Sequence, residues 1–149
     1  MRIAQGLVAA WGLTVLVGDL ATRRIPNWLS AGAAALALGY CLVTGNTVLG
    51  APWLSAILGV LLALVLTVPG YCLRQLGAGD VKAMIAIGLI GGWQVSLASF
   101  VVAGLLAGFY VLALQWWKRY GGEMLPAKRF IPFGAMLAVG LLVAMEATS

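Results

Sequence analysis

This 149-residue chain carries 4 acidic residues: Asp19, Asp80, Glu123 and Glu146. It has no histidine. Ser-His-Asp and Cys-His catalysis therefore lack their base, and a histidine metal site lacks its ligand. The 2 cysteines, Cys41 and Cys72, form no CxxC pair, which removes a zinc ribbon and a dithiol redox motif. Any chemistry must rest on carboxylates, hydroxyls, lysines or backbone groups. Glu123 falls in the polar stretch Gly121-Gly122-Glu123, and Glu146 follows the last apolar run. Asp19 and Asp80 differ from them, because each stands at the edge of a long apolar segment. An aspartate at the bilayer centre costs about 2.5–3.5 kcal/mol and one at the interface less, so cost alone does not assign a role.

Two carboxylates that share a site do not both ionise easily, which puts an acid beside a base. Such a pair activates water and protonates a leaving amine. That is peptide hydrolysis without a metal, a cofactor or a nucleophilic side chain. Helix dipoles suggest a division of labour. Asp80, at a helix N terminus, is expected to be the initial base; Asp19, near a C terminus, is expected to be the acid. On spacing alone, simpler readings stay open. Asp80 would serve as a helix cap, and Asp19 would pair with Arg23 at helical i,i+4 spacing.

The elements that must position these acids are legible from composition. The chain is 63% hydrophobic and 9% charged, against about 45–50% and about 25% for a soluble domain. A soluble domain, a disordered chain and a disulfide-rich mini-protein are excluded. Six apolar segments run over Ile3–Leu20, Trp28–Val43, Trp53–Leu73, Val81–Trp93, Leu97–Trp117 and Phe130–Met145. At about 20 residues per span, six spans use about 120 residues and leave no room for a soluble domain. The runs are rich in Leu, Ala, Val and Gly and lack strand alternation, as helices in lipid require. The expected fold is all-α: a polytopic membrane protein with six transmembrane helices in a single domain over 1–149. The fourth segment is short for a span. The first is read as a retained helix, not a cleaved signal, because apolar segments follow it and Arg23-Arg24 anchors it.

Orientation follows from lysine and arginine. Arg23, Arg24, Arg74, Lys82, Lys118, Arg119, Lys128 and Arg129 fall on one side, and Arg2 alone on the other. That side is expected to be cytoplasmic, with both termini outside (N-out/C-out). The net charge of +5 is then a collar facing anionic lipid, not a nucleic-acid surface. Helix 1 ends at Asp19 and helix 4 begins at Asp80, so both acids are expected at similar depth near the cytoplasmic face. They meet if helices 1 and 4 are neighbours. Trp28, Trp53, Trp93, Trp116 and Trp117 at segment ends suggest an interfacial belt. Gly88-x-x-x-Gly92 and Gly104-x-x-x-Gly108 suggest close helix approach. Cys41 and Cys72 are expected near opposite faces, too far apart to bond, and are read as packing residues.

The segment Asp19-Leu-Ala-Thr-Arg-Arg-Ile-Pro-Asn27 resembles the first aspartate motif of type IV prepilin peptidases, an Asp followed by basic residues and IPN. Gly77-Ala-Gly-Asp80-Val-Lys82 resembles their second, GxGD followed by a lysine. Ile131-Pro-Phe-Gly134 looks like their approach to the last helix. Presenilin-like proteases share GxGD, but their YD-type first motif is not seen. The resemblance implies a GxGD aspartic endopeptidase with Asp19 and Asp80 as catalytic pair and no cofactor or metal. Gly77, Gly79, Lys82, Arg23, Asn27 and Pro26 are the supporting residues it points to. Gly77 and Gly79 would permit a tight bend and close approach of substrate backbone. Pro26 suits the first turn of helix 2, and Asn27 would offer a hydrogen bond near Asp19 or help start that helix. Such enzymes remove the short basic leader of prepilins or pseudopilins at the cytoplasmic face of a prokaryotic inner membrane. The two-CxxC segment of longer members is not seen, so the chain looks like the compact form serving Flp, or tight-adherence, pili. Peptidase activity without methyl transfer is expected. Expected partners are the prepilin or pseudopilin, the lipid bilayer and the pilus-assembly machinery. The rival readings are a proton- or ion-coupled transporter and a non-catalytic secretion-system scaffold.

Overall fold

The computed structural model describes residues 2–22, 25–120 and 132–148. The described residues form five helical elements: α1 (Arg2–Thr22), α2 (Asn27–Thr44), α3 (Trp53–Cys72), α4 (Ala78–Arg119) and α5 (Phe133–Thr148). Four are long and apolar enough to cross a membrane, and Phe133–Ala147 is a shorter apolar helix. Extended pairing among the described residues is limited to one isolated bridge, Asn46 with Pro52.

Local chemistry sets the ends. Pro26 precedes α2 with φ −58°, and its carbonyl accepts the Leu29 N–H at 3.0 Å. Gly45 ends α2 in the left-handed region at φ 72°, its N–H returning to the Cys41 carbonyl at 2.9 Å. A glycine is favoured there because a Cβ would be strained. Pro52 stands immediately before α3.

The fourth and fifth apolar segments lie in α4, whose 42 residues are two helices joined at a kink. Straight, it would be about 63 Å long, twice the hydrocarbon thickness. It is not straight: Gly92 breaks it with φ 79° and ψ −169°. Gly59 of α3 touches both sides of the break. It lies backbone to backbone with Gly88, and its carbonyl accepts the Ser96 hydroxyl at 3.2 Å. The chain therefore kinks at a single glycine, just before the gap between the fourth and fifth apolar segments. Ser55 explains how the kink is tolerated. Its Oγ accepts the Trp93 N–H at 3.3 Å and fills the space a side chain at position 92 would need.

Packing centres on α4, which contacts α3, α5 and α2, while α1 lies against α5. Met84, Ile87, Leu137 and Leu141 are fully buried between these helices. Outward, Ile3, Leu36, Val43, Val65 and Phe109 are exposed. Apolar exposure on that scale suits lipid and would be a large patch on a soluble protein. Trp28, Trp53, Trp116 and Trp117 are exposed at helix ends and Trp93 beside the break. The glycine pairs divide. A methyl on Gly88 would lie 2.6 Å from the Gly59 carbonyl carbon, so close approach is real there. A methyl on Gly104 or Gly108 would meet nothing within 4 Å, so among the described residues no helix packs on the second pair. Cys41 is buried, its thiol donating to the Leu89 carbonyl at 3.5 Å, whereas Cys72 is exposed.

Candidate active site

Asp19 occupies the last turn of α1 and is 4% exposed. Its Oδ2 accepts the backbone N–H of Ala135 at 2.8 Å. Ala135 lies in the first turn of α5, where N–H groups have no partner within their own helix. A side chain from α1 thus caps α5. Asp80 lies in the first turn of α4, and its Oδ2 accepts the Gly77 N–H at 2.9 Å. This is the acidic half of a capping box. The turns that hold the two carboxylates are linked through one residue, Ile25, which bears on the starts of both α4 and α5.

This geometry removes the dipole argument for the expected division of labour. Asp19 ends its own helix but faces the positive end of α5. Both carboxylates therefore stand at helix N termini, and the helix dipole does not tell them apart. The helix contacts also differ from those expected. The main partner of α1 is α5, not α4.

The joint between the two acids is Ile25, which is 8% exposed. A methyl on Gly79 would lie 3.2 Å from Ile25 Cβ and 3.3 Å from its carbonyl oxygen. A methyl on Gly134 would lie 2.5 Å from Ile25 Cδ1 and 3.1 Å from Asp19 Oδ2. The close approach at Gly79 is thus to the chain's own Ile25. Gly77 has an ordinary extended φ of −82°. A methyl there would make a normal contact of 3.4 Å with Asp80 Oδ2.

Lys82 Nζ donates to Asn27 Oδ1 at 2.9 Å. The bond ties the start of α2 to the first turns of α4, so Asn27 serves Lys82 through this contact. Pro26 sits immediately before it as the residue flanking α2. Phe133, at the start of α5, meets Phe100 of α4 edge to face, with centroids 6.0 Å apart. Arg23 and Arg24 lie outside the described residues, as do 121–131, with Glu123, Lys128, Arg129 and Ile131. Among the described residues no three His, Cys, Asp or Glu side chains gather closely enough to hold a metal ion.

Sequence reasoning found Asp19, Asp80 and the motifs around them. It missed Ile25, Gly134 and the Ala135 N–H. Ile25 and Gly134 were inside the motif segments already singled out, but their contributions are steric, and that of Ala135 is a backbone group. Residue type signals none of these.

An apolar helical bundle with two buried-edge carboxylates at its helix starts defines a membrane-embedded protein with the means for acid–base chemistry. The family model described as the type IV leader peptidase family matches residues 6–112, a stretch that includes both aspartates. The chain belongs to the type IV leader peptidase family and is a multi-pass membrane peptidase. No curated protein and no solved structure matches it.

Proposed function

We propose that the protein is an aspartic endopeptidase that removes the short basic leader of a prepilin or pseudopilin, using Asp19, Asp80 and water. The observation that carries this reading is the convergence of the two carboxylates. Each is held by a backbone N–H at a helix start, and Ile25 bears on both of those starts. The pair shares one proton and titrates as a unit. The ionised member takes a proton from water as the oxygen attacks the scissile carbonyl carbon. The protonated member then gives its proton to the amide nitrogen as the C–N bond breaks. Asp19 is buried and Asp80 partly exposed, so water and the peptide approach from the Asp80 side.

The break at Gly92 supports a six-span arrangement, in which Val81–Trp93 and Leu97–Trp117 cross separately. With the basic residues cytoplasmic, both termini are outside and the pair opens at the cytoplasmic face of a prokaryotic inner membrane. The test is cleavage of a purified prepilin by the purified protein in lipid, with the new N terminus read by mass spectrometry. Cleavage at the end of the basic leader, unaffected by excess chelator, is the expected result. Cleavage that chelator abolishes and added metal restores would overturn the metal-free mechanism.

A further inference from the structure

We propose that Ile25 is a positioning residue that sets the separation of the two carboxylates. The inference rests on the reading of Asp19 and Asp80 as the catalytic pair. The two helix starts that hold these acids both bear on this one residue. The first turn of α4 presents Gly79 to the backbone end of Ile25, at its Cβ, nitrogen and oxygen. The first turn of α5 presents Gly134 to the tip, at Cγ1 and Cδ1. Asp80 follows Gly79 directly, and the Ala135 N–H that holds Asp19 follows Gly134 directly. The width of the Ile25 residue, from backbone to Cδ1, therefore fixes how closely the two helix starts approach.

A spacer must itself be held, and Ile25 is. It precedes Pro26, which restricts its backbone to extended conformations. Val15 of α1, Ala83 of α4 and Ala138 of α5 form one buried cluster with it. The neighbouring Asn27 is tied to Lys82 of α4. Glycine at both 79 and 134 leaves no adjustable side chain between the spacer and the helix backbones. Catalysis by a carboxylate pair is sensitive to such placement, because an error of about 1 Å can cost about 10²-fold in rate.

The experiment measures kcat and KM for leader cleavage alongside the thermal midpoint of each variant. Gly134→Ala is expected to lower kcat at least about tenfold with KM nearly unchanged, as loss of transition-state geometry requires. Ile25→Val in the same chain removes Cδ1, makes room for the new methyl and should restore most of the lost kcat. A Gly134→Ala protein with wild-type kcat overturns the proposal. So does a double variant whose losses multiply as for independent sites, or a pair that moves the thermal midpoint alone. A substrate-free readout uses Asp19→Cys and Asp80→Cys in a chain also carrying Cys41→Ala and Cys72→Ala. Adding Ile25→Ala should change the rate of cross-linking by a short dithiol reagent several-fold; an unchanged rate contradicts the spacer role. A wild-type chain that cleaves no prepilin sinks the functional reading instead, and the cross-linking result still judges the spacer.

Discussion

Asp19 accepts the backbone N–H of Ala135 at 2.8 Å, so a carboxylate at the end of α1 closes the start of α5 across most of the sequence. One side chain thereby does two jobs. It caps a helix, and it is one half of the proposed catalytic pair.

The capping job has its own signature in stability. Asp19→Ala leaves an N–H of α5 without its acceptor and should cost about 1 kcal/mol, the usual cost of losing a cap. Asp19→Asn keeps a carbonyl oxygen and should lose less. Thermal unfolding in a fixed detergent separates the two. Equal midpoints for Asp19→Ala and wild type would remove the cap.

The two glycine pairs should respond in opposite ways to alanine. Gly88→Ala forces a methyl to within 2.6 Å of the Gly59 backbone, and that backbone cannot yield as a flexible side chain would. A loss of about 1–3 kcal/mol, typical of overpacking, is expected. Gly104→Ala and Gly108→Ala meet open space and should lie within about 0.5 kcal/mol of wild type. The check is the folded yield and thermal midpoint of each; a Gly88→Ala protein as stable as Gly104→Ala would contradict the contact.

The Lys82–Asn27 bond should show as coupling. Lys82→Met and Asn27→Ala each remove the same 2.9 Å contact, so the double variant should lose less than the sum. A coupling of about 0.5–1 kcal/mol in a double-mutant cycle on unfolding is expected for one partly exposed bond. Strict additivity would mean the bond contributes nothing to stability.

Membrane orientation is tested by tags. A reporter at Gly45–Asn46 should be accessible from outside and one at Gly121–Gly122 from the cytoplasm. The reverse pattern would place the basic collar on the wrong side and contradict the orientation.

Much of this arrangement was legible in the sequence because apolar runs and isolated carboxylates are strong signals. Both boundaries of α2 and the start of α3 follow from Pro26, Gly45 and Pro52, which act locally. The kink at Gly92 was not legible. It depends on Ser55, in another helix, accepting the freed Trp93 N–H, and no local pattern announces that partnership. The even-handed electrostatics of the acids was hidden for the same reason. Asp19 looks like the end of a helix until α5 is placed beside it. Glycine spacing was informative at 88, where α3 supplies a second glycine, and misleading at 104 and 108, where no described helix arrives.

The most direct test of the central claim is leader cleavage by Asp19→Asn and Asp80→Asn, each purified in folded form and compared with wild type on one prepilin. Each should lose about 10²–10⁴-fold or more in rate, as removal of an essential acid or base does, while its thermal midpoint stays close to that of wild type. Full cleavage by either variant would contradict the catalytic pair.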